Sequence, residues 1–304
     1  MSIRTGLTFG LLVGCASTGL TQLPQDGVLL PRHTVMVGAF DGRDSWREYW
    51  EGTRKRTNDN IGTVTTQSVI GIAGYGVTSR LTVTAALPYI HTHASQGVLH
   101  DMSGIQDLTV AAKYLLLSTR ESPRGDVSAF VAGSAALPIG NYSPDFLPLS
   151  IGTAGKRAAA RATLNYTAPS LWFATASAAY TFCANVKLDR DAYYTDGQLY
   201  LTNEVAMPNA MDFVLSTGFS RGDWRVPLTL AQQVTLGGGD IRRQDMPFVS
   251  NRMDFTRGGV DVMYMPRVLQ GAALHAGVSR ILVGRNVGQS TTLTSGLTYS
   301  FAMP

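Results

Sequence analysis

Three histidines and an aspartate that lie close together along the chain have the clearest potential for metal chemistry. His91 and His93 have the H-x-H spacing, and His100 and Asp101 follow a few residues later. Imidazole nitrogens and carboxylate oxygens are ligands that zinc accepts. The segment has the composition of a loop, however, and loop histidines are usually just solvated. We therefore predict no metal site and no cofactor. A metal site formed by the three histidines is the alternative.

Nucleophilic catalysis would need a serine near a histidine and a third group that orients the imidazole. His275 lies in an alternating segment, but its neighbours on the same face are Ala273 and Gly277, so no serine accompanies it. A protease-like pairing of aspartate with histidine could arise only between His91 and Asp101. The sequence therefore predicts a protein that is not an enzyme, with a membrane-embedded hydrolase as the alternative.

A larger group of polar residues lies in segments whose alternate positions are apolar. If the apolar positions face lipid, the polar side chains converge on an interior. The group consists of Asp107, Lys113, Arg157, Arg161, Asn165, Asp212, Arg225, Gln233, Arg257, Asp261 and His275. Because it contains both signs of charge, it has two interpretations. It is a side-chain lattice that fills the interior, or it lines a pore whose arginines attract anionic solutes.

The elements that must position these side chains are amphipathic strands. From Trp172 to Phe182, apolar residues alternate with small and polar ones. Ten steps of about 3.3 Å, tilted by about 40°, rise roughly 25 Å, which is the height of the apolar band of an outer-membrane barrel. Twelve such segments follow one another, joined by connections that alternate between long and short. We predict an all-β fold: a single closed antiparallel up-and-down transmembrane β-barrel of about 12 strands. A soluble β-sandwich would have shorter strands without this alternation.

The composition fits a barrel in the bacterial outer membrane. Charged residues make up 15% of the chain, against about 25% in soluble proteins. No run of about 18 apolar residues occurs, so the sequence offers no transmembrane helix. The basic residues are scattered, and their one dense run, Arg54 to Arg56, lacks interleaved aromatic residues, which excludes a nucleic-acid partner. Membrane lipid and a small-molecule solute are the predicted partners.

The predicted first strand, 33–40, leads into a charged loop, 41–60, that carries Trp46, Tyr49 and Trp50. These aromatic side chains favour the membrane interface, and the mouth of a pore is the alternative. Residues 21–30 are predicted to be a periplasmic lead-in to that strand. Residues 283–290 are predicted to form the last loop, and residues 291–301 the strand that closes the sheet against the first.

The closing strand carries a pattern read in barrel assembly. Gly296, Tyr299 and Phe301 follow the order polar, any, glycine, any, any, aromatic, any, aromatic. This order resembles the C-terminal signal of outer-membrane barrels, although three further residues follow Phe301. The barrel-assembly machinery is therefore a further predicted partner.

Residues 1–20 resemble a signal peptide, which leaves residues 21–304 as the barrel domain. Arg4 is followed by an apolar stretch, 7–13, and by small residues. The peptide is cut after Ala16, or residues 12–15 act as a lipobox that leaves an acylated Cys15. Both readings imply export, and both leave Cys183 without a disulfide partner.

Three motifs resemble a known family. Residues 104–114, GIQDLTVAAKY, resemble the strand G-x-x-D-L-x-L-x-x-K-Y of the outer-membrane barrels assigned to meta-pathway phenol degradation. Residues 137–144, LPIGNYSP, with 151–155, IGTAG, resemble its L-P-T-G-x-Y strand end and the loop that follows. Residues 75–81, YGVTSRL, resemble its Y-G-[IL]-T-D-x-L turn. Ile139 replaces the usual threonine, and Ser79 the usual aspartate.

The resemblance implies an outer-membrane channel or transporter for passive uptake or binding of small solutes. Hydrophobic or aromatic molecules fit the family, and anionic ones fit the arginines. The resemblance supplies no catalytic residues. A barrel that is filled by its own side chains or loops, and that transports nothing, is the alternative.

Overall fold

The computed structural model describes residues 25–119, 123–242 and 247–303. Twelve long strands occur in this part of the chain. In chain order they are β1 (Thr34–Trp46), β2 (Val64–Gly76), β3 (Leu81–Ala94), β4 (Asp107–Ser118), β5 (Asp126–Pro138), β6 (Arg157–Thr167), β7 (Trp172–Cys183), β8 (Asn209–Arg221), β9 (Trp224–Leu236), β10 (Asp254–Tyr264), β11 (Ala272–Arg285) and β12 (Thr291–Ala302). Short hairpins and one 3₁₀ turn, Pro144–Phe146, lie in the connections between them.

The strands close into a barrel. Within the described residues each long strand pairs antiparallel with its neighbours in the chain, and β1 pairs with β12 from Thr34 opposite Ala302 to Ser45 opposite Thr291. The prediction of a closed, 12-stranded, up-and-down barrel is therefore confirmed. Among the same residues no helix is long and apolar enough to cross a membrane.

The two faces of the wall have opposite polarity. Outward positions carry exposed apolar side chains such as Leu164, Leu215 and Leu297, while many inward positions carry buried polar ones. Aromatic pairs form a belt at the end where β1 begins and β12 ends, which we call the lower end: Trp172 with Phe219, Trp224 with Tyr264, and Tyr299 with Phe301. Tyr180 and Phe182 mark the upper end of the apolar band. Hydrocarbon therefore meets the outside of this barrel, as the alternation predicts.

β1 and β11 extend beyond their predicted ends. β1 continues to Trp46, and a hairpin of Glu48–Glu51 with Arg54–Thr57 follows it. The charged residues 41–46 suggested a loop, but their backbone pairs with both β2 and β12, and this pairing does not depend on side-chain polarity. β11 continues to Arg285, so the last connection is the short turn 286–290, which begins at Asn286 with φ of 56°.

The residues of the predicted assembly pattern lie in β12. Tyr299 and Phe301 point outward into the lower aromatic belt. Gly296 faces inward against the ring of Phe40 on β1, where a Cβ atom would overlap the ring. The glycine therefore has a packing role at the closing seam, and recognition by the assembly machinery stays a prediction.

Candidate functional site

The structure places the eleven polar residues that the sequence singled out on the inward face of the wall. Eight of them are buried, and Arg157, Asp261 and His275 are half-buried. They come from six different strands, and the alternation within each strand directs them to one interior. Their role toward a solute stays a prediction.

The interior charges are largely paired with each other. Arg157 Nη2 lies 2.7 Å from Asp107 Oδ2. Arg161 donates to Ser177 Oγ at 2.9 Å and lies within electrostatic range of Asp212. These contacts favour the interpretation in which a lattice of side chains fills the interior, because the acids neutralise the arginines that would otherwise attract an anion.

The lower half of the lumen is occupied by the segment that precedes β1. Residues 25–30, which we call the plug, run inside the barrel, although the sequence suggested a periplasmic lead-in. Lys113 forms a buried ion pair with the Asp26 carboxylate and donates to the Asp26 carbonyl at 2.9 Å. Leu30 N donates to Thr82 Oγ1 at 3.1 Å. The plug is therefore held by groups from two strands.

Apolar packing completes the lower closure. The Leu30 side chain is 4% exposed and belongs to a cluster that fills the lower lumen: Met36, Phe40, Ile70, Ile72, Met263 and Ala273. His275, the histidine considered for catalysis, lies beside this cluster. Its Nε2 is 3.0 Å from Thr298 Oγ1, and its ring centroid is 5.1 Å from that of Phe40.

The upper end is covered by connections that fold over the lumen. The lid, as we use the term, comprises the described residues of connections 139–156, 184–208 and 237–253. Their apolar side chains share one cluster: Leu147, Leu188, Tyr193, Val205, Val249 and Met253. Neighbouring strands hold the first connection inward. Thr92 Oγ1 donates to the Leu149 carbonyl at 2.5 Å, and the Gln106 side chain donates to the Ile151 carbonyl.

Asn286, in the turn 286–290, joins the lid to the first upper connection. Its Oδ1 accepts hydrogen bonds from Gly52 N at 2.8 Å and from Ile241 N at 2.9 Å, while Nδ2 donates to Asp240 Oδ1 at 2.7 Å. Arg285 adds two hydrogen bonds to the Asp240 carboxylate. The hydrogen bonds from Arg285 hold the pKa of Asp240 below its usual value. Sequence patterns do not reveal this junction, because its members are far apart in the chain.

A chamber of about 150 Å³ lies under the lid. Most of its walls are apolar or aromatic: Trp46, Tyr49, Ile90, Leu147, Ile151, Ile241, Met253, Phe255, Ile281 and Val287. Asp44, Thr92, Gln233 and Ser290 are among its polar groups. At the bottom, Asp44 accepts a hydrogen bond from Thr292 at 2.6 Å, and Gln233 donates to the Met253 carbonyl at 3.0 Å.

The aromatic residues of the first connection therefore face the lumen. Trp46 and Tyr49 line the chamber, with ring centroids 6.3 Å apart. Trp50 is 7% exposed and packs against Phe255 and Ile281. The prediction that these rings lie at the membrane interface is wrong, and the pore-mouth alternative describes their position. The rings turn inward because β1 is longer than expected and its hairpin folds over the barrel.

The candidate metal histidines lie outside the lumen. His91 and His93 project outward from the upper end of β3 rather than from a loop. Asp101 Oδ1 lies 2.8 Å from His93 Nδ1, and Asp101 Oδ2 lies 4.0 Å from His91 Nε2. Across the described ranges, no group of three or more His, Cys, Asp or Glu side chains has an arrangement that would hold a metal ion. The residues of the predicted signal peptide, including Cys15, fall outside the described part.

Comparison with solved structures supports the fold. The chain is similar to the COG4313 outer membrane channel from Pseudomonas putida F1, with a TM-score of 0.72 and 16% identity over 90% of this chain and 97% of that one. The translocator domain of the autotransporter NalP from Neisseria meningitidis (0.48, 11%, 90% of both chains) and the NanC porin (0.47, 8%, 86% and 98%) are more distant. No curated protein matches the chain.

A family model described as "Putative MetA-pathway of phenol degradation" matches residues 51–245, which is more than half of the chain. The match contains all three motifs on which the sequence resemblance depends. The closed barrel, with its apolar outer wall and paired termini strands, places the protein in the bacterial outer membrane. The chain thus belongs to the phenol-degradation family of outer-membrane β-barrels.

Proposed function

We propose that the barrel is a gated outer-membrane channel for small hydrophobic solutes, with single-ring aromatic molecules as the best fit. The chamber carries this proposal. A cavity of about 150 Å³ lined by apolar side chains is large enough to hold a benzene molecule, and the chamber has that volume. Trp46, Tyr49 and Phe255 offer ring faces and edges for an aromatic guest.

The polar groups of the chamber favour a ring that carries a hydroxyl group over one that carries a carboxylate. Asp44 and Ser290 present oxygen atoms that accept a hydrogen bond from a phenolic hydroxyl. A carboxylate would meet the Asp44 side chain. Each of the four arginines deeper in the lumen has an acid nearby: Arg157 has Asp107, Arg161 has Asp212, Arg225 has Asp26, and Arg257 has Asp44. We therefore favour neutral solutes over the anionic ones that the arginines suggested.

The lid lies over the upper end of the lumen and the plug lies in its lower half, so we expect transport to require both to move. The same observation supports the second candidate, a barrel filled by its own side chains that transports nothing. Neither candidate involves catalysis by the chain. The two candidates differ in electrical conductance and in solute binding.

The test combines single-channel recording in planar bilayers with phenol titration of the purified barrel. A channel gives conductance steps that phenol interrupts. Trp46→Ala weakens phenol binding about two- to tenfold, the value of one aromatic contact. Trp172→Ala, which removes a lipid-facing ring, leaves binding unchanged. A folded barrel that shows no steps at any voltage and no binding of phenol is the filled barrel instead.

A further inference from the structure

The outer wall carries charged residues at positions where lipid is expected. Arg43 on β1 and Arg280 on β11 are exposed, and their chain neighbours Gly42 and Ile281 are buried and face the lumen. Both arginines therefore project from the outside of the barrel. A charged side chain on the lipid face destabilises a barrel, and least so near the interface. An ionisable residue in such a place is a candidate for a specific partner.

The strand register gives the height of both arginines. Val35 pairs with Phe301 of the lower aromatic belt, and Arg43 is eight residues further along β1. Ala272 pairs with Tyr299 of the same belt, and Arg280 is eight residues further along β11. Eight residues at about 3.3 Å, tilted by about 40°, place each Cα atom about 20 Å above the belt.

That height lies near the top of the apolar band, which is about 25 Å tall. Tyr180, in the upper pair of aromatic residues, is likewise eight residues above Trp172 of the lower belt on β7. Long arginine side chains at this level can extend upward and place the guanidinium among headgroups. Since both termini strands begin and end at the lower, periplasmic side, these headgroups belong to the outer leaflet.

The two arginines stand side by side. Only β12 separates β1 from β11, and Arg43 lies opposite Leu293 while Arg280 lies opposite Thr291, so their Cα atoms are about 12 Å apart across the sheet. Leu293 and Thr291 lie between them on β12. Two guanidinium groups at this spacing can converge on one phosphate or hold two.

The charge of the patch is positive. Within the described part of the chain, neither guanidinium takes part in an ion pair or a side-chain hydrogen bond. Asp41 is the nearby acid on the same face, and it accepts a hydrogen bond from Gln67 at 3.2 Å. One acid thus faces two arginines, whose planar donor groups suit phosphate oxygens.

From these positions we propose that Arg43 and Arg280 form a binding site for the phosphorylated headgroup of the outer-leaflet glycolipid, lipid A. The site lies on the wall at the closing seam, outside the lumen, and is independent of any solute in the chamber. A bound headgroup neutralises the two charges and clamps β11, β12 and β1 together from the outside.

Native mass spectrometry of the detergent-purified barrel tests this site. The probes are diphosphorylated lipid A, the same glycolipid without phosphates, phosphatidylglycerol, and inorganic phosphate as a competitor. Hydrogen bonds to charged groups are worth about a factor of ten each. We therefore expect Arg43→Gln/Arg280→Gln to lower retention of lipid A at least about tenfold. Arg80→Gln/Arg221→Gln, which neutralises two exposed arginines at the lower end, makes the same change in charge and should retain lipid A fully.

Several outcomes would overturn the proposal. The first is that the double variant retains lipid A as well as the wild type does. The second is that the wild type retains the glycolipid without phosphates, or phosphatidylglycerol, as well as lipid A. The others are displacement of lipid A by inorganic phosphate at a similar concentration, and an adduct that proves to be a second copy of the barrel. Heat-modifiable migration on a gel establishes that each variant is folded. If the double variant fails this check, the single variants decide, with a several-fold loss of retention expected for each.

Discussion

The ion pair between Lys113 and Asp26 holds the plug in the lumen, and Asp26→Asn should release it. Lys113 has 6% and Asp26 2% of its side chain exposed. Removing one partner of a buried ion pair costs about 3–5 kcal/mol, because the remaining charge is left uncompensated. Arg161 and Arg225 also lie within electrostatic range of this pair, so without Asp26 the docked state gathers like charges.

The remaining forces on the plug are of similar size. Burial of Leu30 contributes about 2–3 kcal/mol, and its hydrogen bond to Thr82 about 1 kcal/mol. Loss of the ion pair therefore shifts the docking equilibrium at least about a hundredfold toward release. In planar bilayers this appears as a higher open probability at unchanged unitary conductance.

Two comparison variants serve as controls for this prediction. Asp26→Leu/Lys113→Met removes both charges, and apolar replacement of a buried pair is often neutral, so it should close the channel again. Asp223→Asn breaks an exposed pair with Arg267 at the lower end and should change nothing, since surface pairs are worth about 0–1 kcal/mol. If Asp26→Asn leaves a folded barrel with unaltered open probability, the plug is not held by this pair.

Three further predictions concern the lid and the seam. Asn286→Ala removes hydrogen bonds that join three connections, so we expect a loss of about 2–3 kcal/mol in lid closure and longer openings in single-channel records. The pKa of Asp240 is depressed when the lid is closed. The stabilisation of the closed lid by the Asp240 carboxylate is therefore present above about pH 4 and is lost as the pH falls further. Channel openings should lengthen on acidification, and Asp240→Asn should abolish this pH dependence. Gly296→Leu places a side chain against the Phe40 ring, which should prevent β12 from pairing with β1 and abolish heat-modifiable migration, whereas the outward Leu297→Val should migrate as the wild type does.

The barrel could be predicted because its signal is local. In each strand, alternate residues face lipid and must be apolar. The outward face of the segment from Trp172 to Phe182 can therefore be recognised without knowledge of the neighbouring strands. The even number of strands and the alternation of connections then fix closure. The charged end of β1 was missed because charged residues occur on the outward face near the upper edge of the apolar band, so the apolar alternation stops there although strand pairing continues.

The interior of the barrel was less accessible to sequence reasoning. Asp26 lies in a short polar segment, and it becomes a buried residue only through Lys113, 87 residues later. Trp46 and Tyr49 line a chamber whose other walls come from connections as distant as residues 147 and 287. Such contacts depend on how the connections fold over the barrel. The periodicity of residues within one segment contains no information about that folding.

The plug is joined to the wall by a very short tether. Only residues 31–33 separate Leu30 from the first residue of β1. A group on a short tether experiences an effective concentration in the millimolar range, whatever the amount of protein. A released plug therefore competes with every solute molecule for the lower lumen and returns without a second component. Transport through such a barrel would occur during brief openings that end when the plug rebinds. The duration of these openings would depend on how tightly the plug binds rather than on the concentration of solute.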